Sequence, residues 1–568
     1  MQAPFTLALI APLAVGLLGS LLCETLLKPR PRPFWQRGIA ASSIHVGSWL
    51  LLFGLFTLLL QRPWFAVVFI LSLQLVVVQS SNTKSRTLNE PFICHDFEYF
   101  WDAILHPRLY VPFFGIGLAI AASSAGAVAI GSFLYFEPSL LSQWSGASFL
   151  LATFGIAALG ALLVGAGLYK LPPVSLAPAA DLHSLGLYSS LWAYGAALIR
   201  SSPPAAASSP FSAIATNQSC AADAQMATES RAPYNAAIEL PDNPLPNAAL
   251  HNAALPNVVL VQSESFFDPR PWCPEVAPTL LTHFDATRAE AIQHGDLEVP
   301  AWGANTVRTE CAVLTGLAPE TWGARQFNPY RTLARHPLPS VASAFKSQGY
   351  RTVCIHPYPA TFYMRDHVFP KLGFDTFIDV SEFDNHDKHG QYISDRAVAR
   401  KIGRLLEDDD NRPLFLFVIT MENHGPLHLE APDETRLAAT LPKAAWPLPE
   451  YLRDLAVYLH HLGEADQMLN SVKTALNSVA RPGLLGWYGD HVPILPAAYA
   501  HYSLPTGSTP YMLWSTDLVR QTPSPAPAEQ APQKIAANEL GVRLFKQVFG
   551  RDISNDVIKA EPEPQEQE

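Results

Sequence analysis

Val258-Val259-Leu260-Val261-Gln262-Ser263-Glu264 decides the reading of this chain. Four apolar residues in a row, three of them β-branched, predict a buried strand. The run ends on a polar turn that carries one carboxylate. In an open α/β sheet, ligands gather beyond the carboxyl ends of the strands, so Glu264 stands where chemistry collects.

About 220 residues later the arrangement recurs as Leu484-Leu485-Gly486-Trp487-Tyr488-Gly489-Asp490-His491. The two strand ends offer Glu264, Asp490 and His491, an oxygen-rich set suited to a divalent cation. Between them, Gly303-Ala304-Asn305-Thr306-Val307-Arg308-Thr309-Glu310 reads as a glycine turn opening into a helix with hydroxyls at its start. A hydroxyl beside a metal at a helix N-terminus outlines a site for phosphate chemistry.

Outward from these motifs, the elements alternate. Strands are expected at 257–262, 351–355, 413–420 and 484–488, and helices at 306–315, 338–348 and 449–480. That alternation implies a largely parallel sheet sandwiched by helices. Residues 201–255, rich in Ala, Pro, Ser and Asn, read as a loose linker or extended wrap, as does 521–533. The tail from Glu561 reads as disordered. The expected domains are a polytopic membrane domain over 1–170, an interfacial segment and linker over 171–255, a catalytic domain over 256–552 and a tail over 553–568.

The membrane domain rests on five apolar segments, roughly 5–27, 40–60, 63–80, 109–135 and 147–169, each long enough to cross a core of about 30 Å. No small-residue cleavage site follows the first, which therefore reads as an anchor. Lys28, Arg30, Arg32 and Arg37 fall in one loop, and Lys84, Arg86 and Arg108 in another. The positive-inside rule puts both loops in the cytoplasm, and five crossings would leave the soluble domain there too. Segment 184–199 is either a sixth crossing, which exports the domain, or an interfacial helix with Tyr188, Trp192 and Tyr194 at headgroup level.

The net charge of −11 argues against a nucleic-acid partner, which would need a basic face. The six cysteines form no CxxC or metal-knuckle pattern; Cys273, Cys311 and Cys354 fall in the soluble part and are open to pairing there.

Each candidate residue has a plainer reading. Glu264 is equally a helix N-cap or turn residue, Thr306 a helix cap, and Asp490-His491 a turn. Arg308 and Glu310 are a surface ion pair on that reading, and Arg365 with Asp366 a salt bridge. His424, in Asn423-His424-Gly425-Pro426, is a structural histidine. Their common placement past strand ends or at a helix start favours a shared site.

Taken together, Gln262-Ser263-Glu264-Ser265-Phe266, Gly303 through Glu310, Phe362-Tyr363-Met364-Arg365-Asp366, Glu422-Asn423-His424-Gly425-Pro426 and Tyr488-Gly489-Asp490-His491 resemble the lipoteichoic acid synthase-like branch of the alkaline phosphatase and sulfatase superfamily. The resemblance covers roughly 255–520, and the helical membrane half matches the same architecture. It implies that Glu264, Thr306, Asp490 and His491 hold a divalent metal, most often Mn2+ in this branch, with Mg2+ or Zn2+ as other occupants. It implies that Thr306 is the nucleophile, and that Arg365, His424, Tyr363 and His356 contact the transferred group. Two departures stand out: Gln262 where some relatives have His, and no acidic residue in His356-Pro357-Tyr358-Pro359-Ala360.

The implied activity is a membrane-anchored phosphoglycerol transferase of cell-envelope biogenesis in the bacterial inner membrane, with its catalytic domain on the outer, periplasmic side. Its donor would be phosphatidylglycerol or a related phospholipid, and its acceptor a glycan, glycolipid or polyglycerophosphate. A phosphoethanolamine transferase would bring more histidine to the metal. A sulfatase or phosphodiesterase is a further alternative, but no Cys/Ser-x-Pro-x-Arg stretch, which a sulfatase needs, lies near Thr306. A non-catalytic sensor would show a damaged ligand set, and none is evident.

Overall fold

The computed structural model describes residues 6–98, 116–214, 255–445, 447–516 and 531–550. It divides into two compact units, Met1–Ser202 and Pro203–Glu568.

The first unit is helical: α1 (Ala11–Glu24), α2 (Ile39–Leu60), α3 (Pro63–Leu88), α4 (Ile116–Phe136), α5 (Gly146–Lys170), α6 (Pro178–Leu185) and α7 (Leu187–Arg200). Among the described residues, α2, α3 and α5 are long and apolar enough to cross a membrane. Within the described residues the first expected span carries a shorter apolar helix, Ala8–Glu24. The beginning of the segment 109–135 lies outside the described residues, and α4 forms the rest. Helices α2 and α5 meet through glycine: a Cβ on Gly47 would stand 2.7 Å from the Gly160 carbonyl oxygen, so only small residues allow this approach.

The loop charges are less free than their spacing implies. Lys84 and Arg86 lie on the last turns of α3. Lys84 pairs with Glu90 and Asp96 at 2.6 and 2.8 Å, and Arg37 with Glu24 at 2.6 Å. Segment 184–199 is broken at Gly186, where φ is +82°, into α6 and the 14-residue α7. At about 1.5 Å per residue α7 is too short to span the core. Its aromatic side chains make hydrogen bonds within the unit, and Trp192 stays 40% exposed. Tyr194 is fully buried with its hydroxyl on Asp181, Tyr188 donates to Gln74, and Trp192 to Ser48.

The second unit is built on an eight-stranded sheet. Its strands are β1 (Asn257–Ser263), β2 (Gln293–Glu298), β3 (Arg351–Ile355), β4 (Thr376–Ile378), β7 (Leu414–Ile419), β8 (Gly483–Gly489), β9 (Thr509–Ser515) and β10 (Gln533–Ala536). Their spatial order is β10-β2-β9-β8-β1-β7-β3-β4. Five pairings are parallel; β9 runs antiparallel to both β8 and β2. A separate hairpin joins β5 (Lys388–His389) to β6 (Tyr392–Ile393).

Side-chain alternation on β1 builds two cores. Val259 and Val261 pack on one face with α9 (Asp395–Leu406) and α10 (Glu450–Ser478). Val258 and Leu260 pack on the other with α8 (Thr306–Thr315), Val341–Ser347 and α11 (Ala537–Phe549). A strand buried on both faces shows no polar alternation, which is why β1, β7 and β8 read as continuous apolar runs.

Residues 203–214, read in sequence as loose linker, pack within this unit. Phe211 is buried in the second core, and the Ser209 hydroxyl reaches the carbonyls of Thr315 and Pro339. The remaining linker (215–254), residues 521–530, Cys220 and the tail lie outside the described residues. Cys273, Cys311 and Cys354 are buried free thiols, so no disulfide joins them.

Candidate active site

Strands β1 and β8 are adjacent, parallel and in register, with Ser263 opposite Gly489. The next residue on each is Glu264 and Asp490. Register alone therefore sets the two carboxylates side by side at the carboxyl edge. Gly489 is needed for this closeness: a Cβ there would stand 2.0 Å from the Phe266 carbonyl oxygen. Ser265, at φ +53°, turns the chain back and donates its N–H to Asp490 Oδ1 (2.9 Å) and its hydroxyl to Glu264 Oε1 (2.9 Å).

His491 completes the group. The ligand atoms of Glu264, Asp490 and His491 all lie within 4.8 Å of one another, and all three residues are buried. Its Nδ1 donates to the Val492 carbonyl at 3.0 Å, which fixes the tautomer and leaves Nε2 facing the carboxylates. Nε2 lies 3.1 Å from Asp490 Oδ2, 3.6 Å from Glu264 Oε1 and 3.4 Å from Thr306 Oγ. Burial, then the neighbouring Asp490, pushes the Glu264 carboxyl up to about 8. Burial works against protonation of His491, but Asp490 and Glu264 lift it to about 9. The cluster thus retains protons where a cation would sit, and these residues fit a divalent ion.

Thr306 is the first residue of α8, after Ala304 (φ +46°) and Asn305 (φ +56°). Two successive left-handed residues cost strain, about 1–3 kcal/mol each, and aim the helix start at the cluster. Thr309, one turn on, is fully buried, and its hydroxyl donates to the Asp490 carbonyl at 2.8 Å. The two threonines thus differ: Thr306 faces the ligand atoms, Thr309 holds the backbone behind them.

The structure sets aside the plainer ion-pair reading at both places. Glu310 is fully buried and pairs with Arg365, not with Arg308 at the surface. Arg365 Nη2 lies 2.5 Å from Glu310 Oε1, and Nε donates to Oε2 at 3.2 Å; Asp366 is not its partner. Tyr330 also donates to Glu310 (2.6 Å), as does Gln262 (3.3 Å), which in turn accepts from Tyr488 (2.6 Å). Gln262 is therefore a link between strands, and Glu310 an anchor that sequence reasoning missed. Its only sequence signal was a carboxylate one helical turn past Thr306. Arg308 stacks instead over Phe327, 4.8 Å from the ring centre.

Arg365 Nη1, His356 Nε2 and both Asn423 side-chain atoms are buried without hydrogen-bond partners. His356 follows β3, with Nδ1 3.4 Å from the Ile419 carbonyl, and burial holds it well below the usual imidazole range. Tyr363 and Met364, both at positive φ, swing Arg365 inward, and the Tyr363 ring centre lies 5.4 Å from the guanidinium carbon. His424 donates from Nδ1 to the Gly425 carbonyl (2.7 Å), and burial depresses it to about 4, so its Nε2 is a neutral acceptor. Unpaired donors in a buried setting are costly unless a ligand meets them. The arrangement can bind an anion with Arg365 and present a hydroxyl nucleophile beside a metal.

The sulfatase family model matches residues 256–545. The chain is 30% identical over 276 residues to a putative cyclic beta-1,2-glucan modification protein of Rhizobium meliloti, covering 48% of this chain and 41% of that protein. It is 29% identical over 245 residues to the capsular polysaccharide biosynthesis protein RkpI of the same organism, covering 42% of each. The chain thus spans about two-fifths of the curated relatives it matches. Among solved structures, the lipooligosaccharide phosphoethanolamine transferase A of Neisseria meningitidis shares the fold over 94% of this chain and 95% of its own, with TM-score 0.51 and 14% identity.

Proposed function

The chain belongs to the sulfatase family, and from that premise we propose that it is a membrane-anchored, metal-dependent phosphoglycerol transferase. The observation that carries the reading is the Thr306 hydroxyl, 3.4 Å from His491 Nε2 at the start of a helix and facing two buried carboxylates. Glu264, Thr306, Asp490 and His491 would hold the ion, with Mn2+ favoured by the oxygen-rich set. When bound, the ion supplies a lowered pKa for the threonine hydroxyl and charge stabilisation at phosphorus.

Thr306 Oγ attacks the phosphorus of phosphatidylglycerol, diacylglycerol leaves, and a glycerophospho-threonine forms. Arg365 Nη1 and the amides at the start of α8 bind the phosphoryl oxygens. An acceptor hydroxyl then displaces Thr306. His424 Nε2, held neutral, accepts a hydrogen bond from that hydroxyl and orients it. Tyr363 and His356 line the glycerol side. The acceptor is an envelope glycan, a class that the names of the two Rhizobium relatives favour.

The test is incubation of the purified protein with Mn2+ and phosphatidylglycerol labelled in the headgroup, followed by mapping of the labelled residue. Label on Thr306 is expected. Label accepted from phosphatidylethanolamine in preference would replace the donor; no covalent label from either lipid would remove the mechanism.

A further inference from the structure

A second cluster of metal-ligating side chains lies apart from Thr306. His389 sits on hairpin strand β5, Glu422 on the loop after β7, and His461 on α10. The chain thus brings three elements far apart in sequence to one point. Their ligand atoms all lie within 4.8 Å of one another. His389 Nδ1 is 2.6 Å from Glu422 Oε1, and His461 Nδ1 is 3.1 Å from the same oxygen. Metal bonds of about 2.1 Å place tetrahedral ligand atoms about 3.4 Å apart, so the three side chains, now joined by direct hydrogen bonds, would open by less than about 1 Å to admit an ion.

We propose that His389, Glu422 and His461 form a second divalent-cation site, of zinc type. Two imidazoles and one carboxylate favour zinc over the harder ions that suit Glu264 and Asp490. Three further observations support it. First, the far nitrogen of His461 lies 3.0 Å from Glu430 Oε2, the carboxylate–histidine arrangement that orients metal-binding imidazoles. As it stands, His461 donates from both ring nitrogens to carboxylates, a cation between two anions. A bound ion would replace the Nδ1 proton and leave the Glu430 contact intact.

Second, the surroundings are short of positive charge. Arg436 and Arg396 are both taken by Glu464. Asp395 is 1% exposed, donates its backbone N–H to Glu422 Oε2 at 2.5 Å, and has an Oδ1 with no hydrogen-bond partner. Asp395 thus sets an unpartnered carboxyl oxygen on the element that holds Glu422 Oε2. Third, there is an entry: the His389 side chain is 39% exposed, while Glu422 and His461 are buried. His389 Nε2 lies 3.2 Å from His460 Nε2, which steadies its ring.

The site has a use. Glu422 is two residues from His424, so an ion there would tie the loop carrying His424 to β5 and α10. It is a positioning site, with no contact to the reacting atoms.

The experiment uses the full chain in detergent, stripped of metal and titrated with Zn2+ against a competing chelator, with metal counted by elemental analysis. Two equivalents are expected for the wild type, one for His389→Ala and one for Asp490→Ala. Co2+ loading of Asp490→Ala should give the visible absorption of a tetrahedral site, and the double variant should lack it. Unchanged stoichiometry in His389→Ala overturns the proposal. So does a wild type whose one ion vanishes in Asp490→Ala, or loading that the chelator removes as adventitious. If His389→Ala does not fold, Glu430→Gln decides. A roughly 10–100-fold weaker second site is expected there, and unchanged affinity overturns the proposal. Two ions retained by Asp490→Ala would count against the Thr306 site and leave this one standing.

Discussion

Thr309 donates its hydroxyl to the backbone carbonyl of Asp490 at 2.8 Å, joining the helix that begins with Thr306 to the strand end that carries two of the proposed ligands. The contact separates two threonines that sequence spacing alone treats as rivals, since they lie one helical turn apart.

Thr306→Ala should keep its metal and its thermal transition yet form no covalent phospho-intermediate. Thr309→Val should still form it, but with stability lower by about 1–3 kcal/mol, the cost of leaving a buried carbonyl unpaired. Intact-mass detection of the lipid-derived adduct and thermal melts of both variants check this. An adduct on Thr306→Ala would assign the nucleophile elsewhere.

Removing the ion should reveal a pH dependence of a particular sign. Glu264 and His491 both hold protons more tightly folded than unfolded, at about 8 and about 9. Each contributes stability that is fully present below its unfolded pKa, near 4.5 for the carboxyl and 6.5 for the imidazole, and that is lost as pH rises through the folded value. Metal-free protein should therefore melt at lower temperature as pH climbs from about 6 to 9, and Mn2+ should restore it most at the alkaline end. Asp490→Ala should abolish the Mn2+ effect together with turnover. A metal-free melting temperature flat across this window would contradict the assignment.

Glu310 and Arg365 should behave as a unit. Glu310→Ala strands a buried guanidinium, at a cost of about 3–5 kcal/mol. Arg365→Lys keeps the charge but loses the paired donors, so transfer should fall more steeply than stability. Chemical denaturation and initial rates with the lipid donor, measured on both variants, test the split. Equal stability loss in the two would mean that Arg365 is structural only.

Export of the catalytic unit is the remaining expectation. A cysteine at Lys443, an exposed position, should react with an impermeant maleimide in intact cells. A second at Trp35, 82% exposed, then fixes the parity of crossings between the two sites: protected means odd, labelled means even. A Lys443→Cys protein that labels only after lysis would place the unit in the cytoplasm and remove access to an outer-leaflet donor.

The sheet was legible where strands are buried on both faces. β1, β7 and β8 announce themselves as apolar runs, and α8 and α10 by their helical period. β2, Gln293–Glu298, did not, because Gln-His-Gly-Asp-Leu-Glu has one buried side chain. Its place follows from pairing with β9 and β10, a tertiary fact. In the site, Glu264, Asp490 and His491 were visible because they sit directly at strand ends. Glu310 was not, because its partner lies 55 residues on and only the fold joins them. The partners of Tyr188, Trp192 and Tyr194 were hidden for a similar reason: composition marks an aromatic as fit for a headgroup, while Gln74, Ser48 and Asp181 are brought to these side chains by the fold.

The register of Ser263 with Gly489 has a consequence for how such a protein can vary. Two residues more than two hundred positions apart are spaced by backbone pairing alone. The chain between them can lengthen, shorten or exchange whole loops without moving either carboxylate. Loops between the elements that carry Thr306, Arg365 and His424 are thereby free to drift while the spacing of Glu264 and Asp490 stays still.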